Sequence, residues 1–100
     1  MSLSPQQRAS TIEQFDENLR RLGLTPAQVA HDLGTTEQHL VRVANLDNVR
    51  LEDPWILRNH LLAEGAARGI ELVPFTALVG DHHDYWFLDG ADIDRGRMRP

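Results

Sequence analysis

The chain has 100 residues, a formal net charge of −5 and no cysteine. This length fits a single small domain over residues 1–100, and 41% hydrophobic with 25% charged residues is the composition of a globular protein. Without cysteine the chain forms neither a disulfide nor a thiolate metal site. The negative charge opposes binding to a polyanion, because dedicated DNA-binding domains are usually basic.

Residues 72–80 form the longest mostly apolar stretch, which Pro74 and Thr76 interrupt. This stretch is far shorter than the ~18 residues that a membrane-spanning helix needs. The first residues lack a basic segment followed by an apolar one, so we expect no signal peptide. The sequence therefore predicts a cytoplasmic protein without a membrane partner.

A first helix is predicted to begin after Ser4, which caps it. Pro5 occupies the first helical position and Gln7 completes a capping box. Apolar side chains then recur at spacings of three and four residues, at Ile12, Phe15, Leu19 and Leu22. Gly23 is placed to end this helix in the left-handed conformation. The pattern predicts one buried helix face.

Residues 25–45 have the pattern of a helix-turn-helix. Thr25 starts the first of these two helices. Its capping sequence is of the same type as the one that Ser4 provides for the helix before it. Gly34 supplies the turn, and either Thr35 or Thr36 caps the following helix. Caps, apolar period and turn agree with one another, which favours a locally stable motif.

The outward positions of the third helix carry side chains that suit contact with DNA. Glutamine and asparagine bond adenine, arginine bonds guanine or phosphate, and threonine bonds phosphate. The candidate base-contacting residues are Thr36, Gln38, Val41, Arg42 and Asn45, and the candidate phosphate-contacting residues are Arg20, Arg21 and Arg50. The sequence thus predicts a non-enzymatic transcriptional regulator that binds double-stranded DNA as a homodimer.

The same helical shape also serves protein–protein interaction, so a module that binds a partner or itself is the alternative prediction. Such a module would use these helices or the aromatic residues of the C-terminal half. That aromatic group is interpreted either as core or as a stacking platform or dimer surface, and it comprises Trp55, Phe75, Tyr85, Trp86 and Phe87.

A fourth helix is predicted from Asp53 to Arg68, with Gly69 beyond its end. Residues 70–88 then form a cover, which is either a short hairpin or irregular turns pressed onto the helices. Residues 89–100 are expected to form a mobile tail. Its small basic group at Arg95, Arg97 and Arg99 is interpreted as solvated, or alternatively as an arm that follows a phosphate backbone. The predicted fold is a mainly α bundle of four to five helices containing a helix-turn-helix.

Residues 81–84, Asp-His-His-Asp, form the one cluster in the sequence with metal-ligand side chains. Adjacent residues rarely point into one coordination sphere, so a solvated turn capped by aspartate is the preferred interpretation. Residues 92–96 begin like a calcium loop, but no later glutamate exists to close it. The sequence predicts no catalytic residue, no metal site and no cofactor.

Two segments carry motifs that are more specific than a general helical pattern. They are residues 51–61, LEDPWILRNHL, and residues 73–88, VPFTALVGDHHDYWFL. With the helix-turn-helix pattern ahead of them, they resemble a family of small bacterial proteins known only as a domain of unknown function. The resemblance covers nearly the whole chain and implies a cytoplasmic bacterial protein with a helical, repressor-like core. It implies no reaction, ligand or binding residue. In that family a tyrosine often stands where this chain has His82, which implies that the His82–His83 pair is incidental.

Overall fold

The computed structural model describes residues 3–98 as five α-helices and one short 3₁₀ helix, with no strand in that range. The helices are α1 (Pro5–Leu22), α2 (Pro26–Leu33), α3 (Glu37–Ala44), α4 (Glu52–Arg68) and α5 (Gly90–Arg95), and the 3₁₀ helix covers His82–Asp84. The predicted mainly α fold is confirmed, and the C-terminal cover is irregular rather than a hairpin. No helix within residues 3–98 is long and apolar enough to span a bilayer.

The first two helices begin and end as their sequences predict. The Ser4 hydroxyl accepts from the backbone N–H of Gln7 across 3.1 Å, and the Gln7 side chain accepts from the Ser4 N–H across 2.9 Å. Thr25 starts α2 with the same reciprocal pair. Gly23 and Gly34 end α1 and α2 with φ of 66° and 75°, a conformation that costs glycine no steric clash.

The starts of α3 and α4 show which of the predicted caps operate. Thr36, not Thr35, caps α3, because its hydroxyl accepts from the N–H of His39 across 3.1 Å. Helix α4 begins at Glu52, one residue before the predicted Asp53, without a side-chain cap. It ends at Arg68 with Gly69 in the left-handed conformation, as predicted.

The core lies between α1, α3 and α4 and is closed by the cover. The side chains of Phe15, Leu40 and Leu57 have no exposed surface, and all three helices contact one another. Phe75 of the cover packs on Phe15 with 5.3 Å between ring centroids. Burial of these apolar surfaces supplies the main driving force for folding.

Side chains of α1 and α4 bind the backbone of the cover. The buried amide of Asn18 donates to the carbonyl of Val73 across 3.1 Å and accepts from its N–H across 2.8 Å. Arg58 donates to the carbonyls of Leu78 and Gly80 across 2.9 and 3.0 Å. Helix side chains thus satisfy backbone groups of the cover that would bond a partner strand in a sheet.

The aromatic residues of the C-terminal half divide between core and surface. Trp55 and Phe75 are buried, which agrees with the core interpretation. Trp86 is 93% exposed, so that interpretation does not extend to it.

Residues expected as a mobile tail include α5 and two buried apolar side chains, Ile93 and Met98. Asp89 caps α5 by accepting from the N–H of Asp92 across 3.1 Å. The N–H of Met98 donates to the carbonyl of Leu33, at the end of α2, across 2.9 Å. This cap and these apolar contacts pack residues 89–98 against the helices. Arg99 lies outside the described residues.

Candidate nucleic-acid interface

Helices α2 and α3 form a compact pair that presents one face of α3 to solvent. Each helix has eight residues, and residues 34–36 connect them. Val29 and Leu33 of α2 pack with Leu40 and Val43 of α3, all four fully or nearly fully buried. The opposite face of α3 carries the candidate base-contacting residues.

Among those candidates, Gln38 and Val41 project into solvent. Gln38 is exposed and Val41 is 40% exposed. The hydroxyl of Thr36 already serves as the helix cap described above. The Asn45 amide donates to the carbonyl of Val41 in its own helix across 2.8 Å. A base could therefore reach Gln38 and Val41 without breaking an internal hydrogen bond.

Arg42 closes the loop that follows α3. Its guanidinium donates to the carbonyls of Asp47 and Asn48 across 3.3 and 2.9 Å. Leu46 and Asn48 in this loop have φ of 52° and 53°, a conformation that non-glycine residues rarely adopt. Carbonyls do not neutralise a guanidinium, so Arg42 keeps its positive charge at this end of α3.

The candidate phosphate-contacting arginines of α1 are paired with a neighbouring carboxylate. Arg20 and Arg21 donate to Glu17 across 2.9 and 2.8 Å. Their hydrogen bonds, that of Arg20 foremost, lower the pKa of Glu17 to about 2, so this carboxylate stays charged at neutral pH. A phosphate would have to compete with Glu17 for both cations.

Arg50 is also paired with carboxylates. It donates to Asp92 across 2.8 Å and to Asp53 across 3.0 Å, and both acids are buried. Arg95 binds the same Asp92 across 2.8 Å, and His39 lies 3.0 Å from the second oxygen of Asp53. Arg50 therefore belongs to a network that joins α3, α4 and α5.

Within residues 3–98, the arginines without a carboxylate partner are Arg8, Arg42, Arg58 and Arg97. Three of them flank α3. Arg8 donates to the carbonyl of Asn45, at the C-terminal end of α3, across 3.3 Å. The Arg97 guanidinium lies over Gly34, where its Cζ would be 2.8 Å from an added Cβ.

Arg8 is not a candidate from the sequence, and Arg97 is assigned there to a tail that is either solvated or an arm along a phosphate backbone. Arg8 and Asn45 are 37 residues apart, so no local pattern connects them. Packing of Met98 against the end of α2 brings Arg97 to the α2–α3 turn. Tertiary contacts therefore place cations at both ends of α3.

Acidic side chains lie close to the same face and weaken its positive potential. A groove between α1 and α3 is lined by Ile12, Leu19 and Val41, with Glu13 and Asp16 at its α1 side. Glu37 begins α3 and is exposed. Contact with a polyanion must therefore depend on the arginines at the helix ends.

Residues 1–89 match the model of a family described as DUF2316, an uncharacterized protein conserved in bacteria. The chain belongs to this family. No curated protein and no solved structure matches it significantly. The DUF2316 match ends just before α5, so Arg97 lies beyond the matched region.

Proposed function

We propose that this DUF2316 member is a non-enzymatic, cytoplasmic regulator of transcription, in which α2 and α3 act as a helix-turn-helix and α3 enters the major groove of DNA. The observation that supports the proposal is the placement of Arg97 at the start of α3 and of Arg8 and Arg42 at its end. Cations at both ends of a groove-bound helix would meet the phosphates on either side of the groove.

The roles of the α3 residues follow from their contacts. Gln38 has a free amide and is the candidate reader of adenine, while Val41 offers an apolar contact to the thymine methyl group. Thr36, Arg42 and Asn45 hold the helix ends and contribute through position and charge. Arg20, Arg21 and Arg50 are assigned to intramolecular ion pairs in this proposal, because carboxylates already bind them.

Salt-dependent DNA binding tests the proposal. Fluorescence anisotropy with a random-sequence duplex should give log K that falls with log salt, by ~0.9 for each neutralised phosphate. Arg97→Ala and Arg8→Ala should each flatten that slope by about 0.9. Arg20→Ala removes the same charge from α1, where Arg20 shares Glu17 with Arg21, and should flatten the slope less than Arg97→Ala, because Glu17 partly compensates its charge.

Base reading is tested separately on a duplex selected from a random pool. Gln38→Ala should weaken binding to that duplex by about 1–3 kcal/mol while the salt slope stays the same. Absence of binding at low salt contradicts the regulator proposal. So does an Arg20→Ala effect as large as that of Arg97→Ala.

The exposure of Trp86 favours a second candidate function, self-association of the chain. An exposed indole is costly to leave in water and is typical of interface centres, and Val79 of the same cover is also 45% exposed. Sedimentation equilibrium should show a dimer that persists at high salt, since apolar burial is not screened. Trp86→Ala should dissociate it, whereas Leu62→Ala, at an exposed site on α4, should not. A monomer at every concentration contradicts this candidate.

A further inference from the structure

The imidazoles of His82 and His83 converge on one carboxylate, that of Asp94 in α5. Nε2 of His82 lies 2.8 Å from Oδ1 of Asp94, and Nε2 of His83 lies 2.7 Å from Oδ2. The two rings lie against each other at a tilt of 36°, with 4.0 Å between their centroids. The sequence favours a solvated turn in which adjacent histidines do not point into one coordination sphere, whereas the 3₁₀ helix turns both rings towards α5.

Asp81 fixes the orientation of the His83 ring. Its Oδ1 accepts from the N–H of His83 across 2.9 Å and lies 2.7 Å from Nδ1 of the same residue. With Nδ1 held by a carboxylate, Nε2 is the nitrogen directed at Asp94. This is the arrangement in which an outer carboxylate orients a metal-binding histidine and increases its basicity.

The cluster is packed on the inside and accessible on the outside. The His82 side chain is only 11% exposed and lies beside Trp55, with 6.3 Å between ring centroids. An added Cβ at Gly90 would lie 3.1 Å from Cδ2 of His83, so glycine allows the ring to approach α5 closely. Asp94 also lines a crevice next to His60, which gives a dissolved ion access to its carboxylate.

We propose that His82, His83 and Asp94 bind one divalent transition-metal ion. Two imidazole nitrogens and a carboxylate form the mixed donor set that Zn²⁺ and its neighbours in the first row prefer. Donors bound at ~2.0–2.2 Å from one tetrahedral ion are spaced about 3.3–3.6 Å apart. The histidine–Asp94 spacings of 2.8 and 2.7 Å would therefore have to widen by roughly half an ångström or more when the ion enters. The carboxylates of Asp81 and Asp94 supply the compensating charge.

The ion would join two elements that the sequence separates. His82 and His83 belong to the cover, and Asp94 belongs to α5, so a shared ion clamps one onto the other. The sequence alone does not reveal this set, because Asp94 lies outside the Asp81–Asp84 cluster and reaches the histidines only through the packing of α5. The proposal is independent of DNA binding.

Metal binding by the tag-free full chain tests the proposal. After removal of metals with a chelator, titration with Zn²⁺ in a calorimeter should show one equivalent of binding, and Co²⁺ should develop visible absorption on binding. His83→Asn and Asp94→Asn, both close in size to the native residues, should abolish this binding. Asp81→Asn should weaken it by ~10–100-fold, as expected for an orienting partner.

Two histidine variants serve as controls. His31→Ala removes an exposed imidazole from α2 and should bind Zn²⁺ like the wild type. His60→Gln disrupts the second group of potential ligands, in which Nε2 of His60 lies 3.6 Å from Asp32 and 4.0 Å from Glu64. The His60→Gln variant should also bind one equivalent of Zn²⁺.

Circular dichroism establishes that each variant is folded before its titration is interpreted. The absence of saturable binding in the wild type overturns the proposal. Undiminished binding in folded Asp94→Asn, or loss of the single equivalent in His60→Gln alone, overturns it equally.

Discussion

The guanidinium of Arg42 and the carbonyl of Asn48 are 2.9 Å apart, and this bond closes the loop between α3 and α4. Asn48 has a φ of 53°, a left-handed conformation that asparagine adopts more readily than most non-glycine residues, and the bond holds its carbonyl in place. A side chain on the outward face of α3 therefore stabilises the loop that positions α4.

Arg42→Ala should destabilise the fold by about 1 kcal/mol, because the Asp47 and Asn48 carbonyls lose a charged donor. Urea denaturation measures this change in the free energy of unfolding. Arg20→Ala, which breaks an exposed pair with Glu17, is the matched control and should stay within about 0.5 kcal/mol of the wild type. Equal losses in the two variants would show that Arg42 does not support the loop.

Asn18 and Gln14 are two amides of α1 that bind the cover in the same way at different depths. Asn18 is fully buried and binds the N–H and carbonyl of Val73, whereas Gln14 exchanges two exposed hydrogen bonds with Thr76. Asn18→Ala should cost about 2–4 kcal/mol, because two buried backbone groups lose their partner. Gln14→Ala should cost less than about 1 kcal/mol, because water replaces its bonds.

Thermal and urea unfolding of these two variants measure the contrast. If Gln14→Ala proves as destabilising as Asn18→Ala, burial does not determine how strongly the cover is held. Asn18→Asp provides a further check, since it keeps the acceptor for the Val73 N–H and loses the donor to its carbonyl.

Gly34→Ala and Gly23→Ala separate backbone strain from contact with Arg97. Both glycines have positive φ, so alanine should cost about 1–2 kcal/mol of unfolding free energy at either position. No atom lies within 4 Å of a Cβ at Gly23, whereas a Cβ at Gly34 would displace the Arg97 guanidinium. Only Gly34→Ala should therefore shift the NMR signal of the Arg97 side chain and flatten the salt slope of DNA binding.

Acid should weaken the attachment of α5 through Asp92. Hydrogen bonds from Arg95 and Arg50 lower the pKa of Asp92 below the value in the unfolded chain, about 3.9. The ionised carboxylate therefore stabilises the fold above that pH, and the contribution is lost as pH falls through the lower, folded-state pKa. Urea denaturation from neutral pH to about pH 3 should show this loss.

Asp92→Asn should flatten the pH dependence of stability over the acidic range, while Asp16→Asn, at an exposed position of α1, should keep it. If the free energy of unfolding of Asp92→Asn depends on pH as that of the wild type does, protonation of Asp92 does not weaken its pairs with Arg50 and Arg95 enough to loosen α5.

The helix starts and ends that the sequence predicts are those that depend on residues close together in the chain. The starts of α1 and α2 follow from capping boxes that need only Ser4 or Thr25 and the glutamine three residues later. The ends at Gly23, Gly34 and Gly69 follow from the left-handed conformation that glycine adopts freely.

What the sequence does not predict depends on residues far apart in the chain. The pair of Arg50 with Asp92, the position of Arg97 over Gly34 and the meeting of His83 with Asp94 arise only when the C-terminal segment packs on the bundle. The extension of the core to Met98 has the same origin. The candidate interface and Arg42 could therefore be proposed from sequence, whereas the contact of Arg8 with the end of α3 and that of Arg97 with Gly34 could not.

The contrasting environments of Trp55 and Trp86 give the protein two separable fluorescence signals. An aqueous quencher such as iodide has access to the Trp86 indole, whereas Trp55 is enclosed by Tyr85, Arg58 and His82 at centroid distances of 5.3, 5.0 and 6.3 Å. A Trp86→Phe variant thus leaves a single interior fluorophore at the junction of α4 and the cover. Its emission reports structural change at that junction without any attached dye.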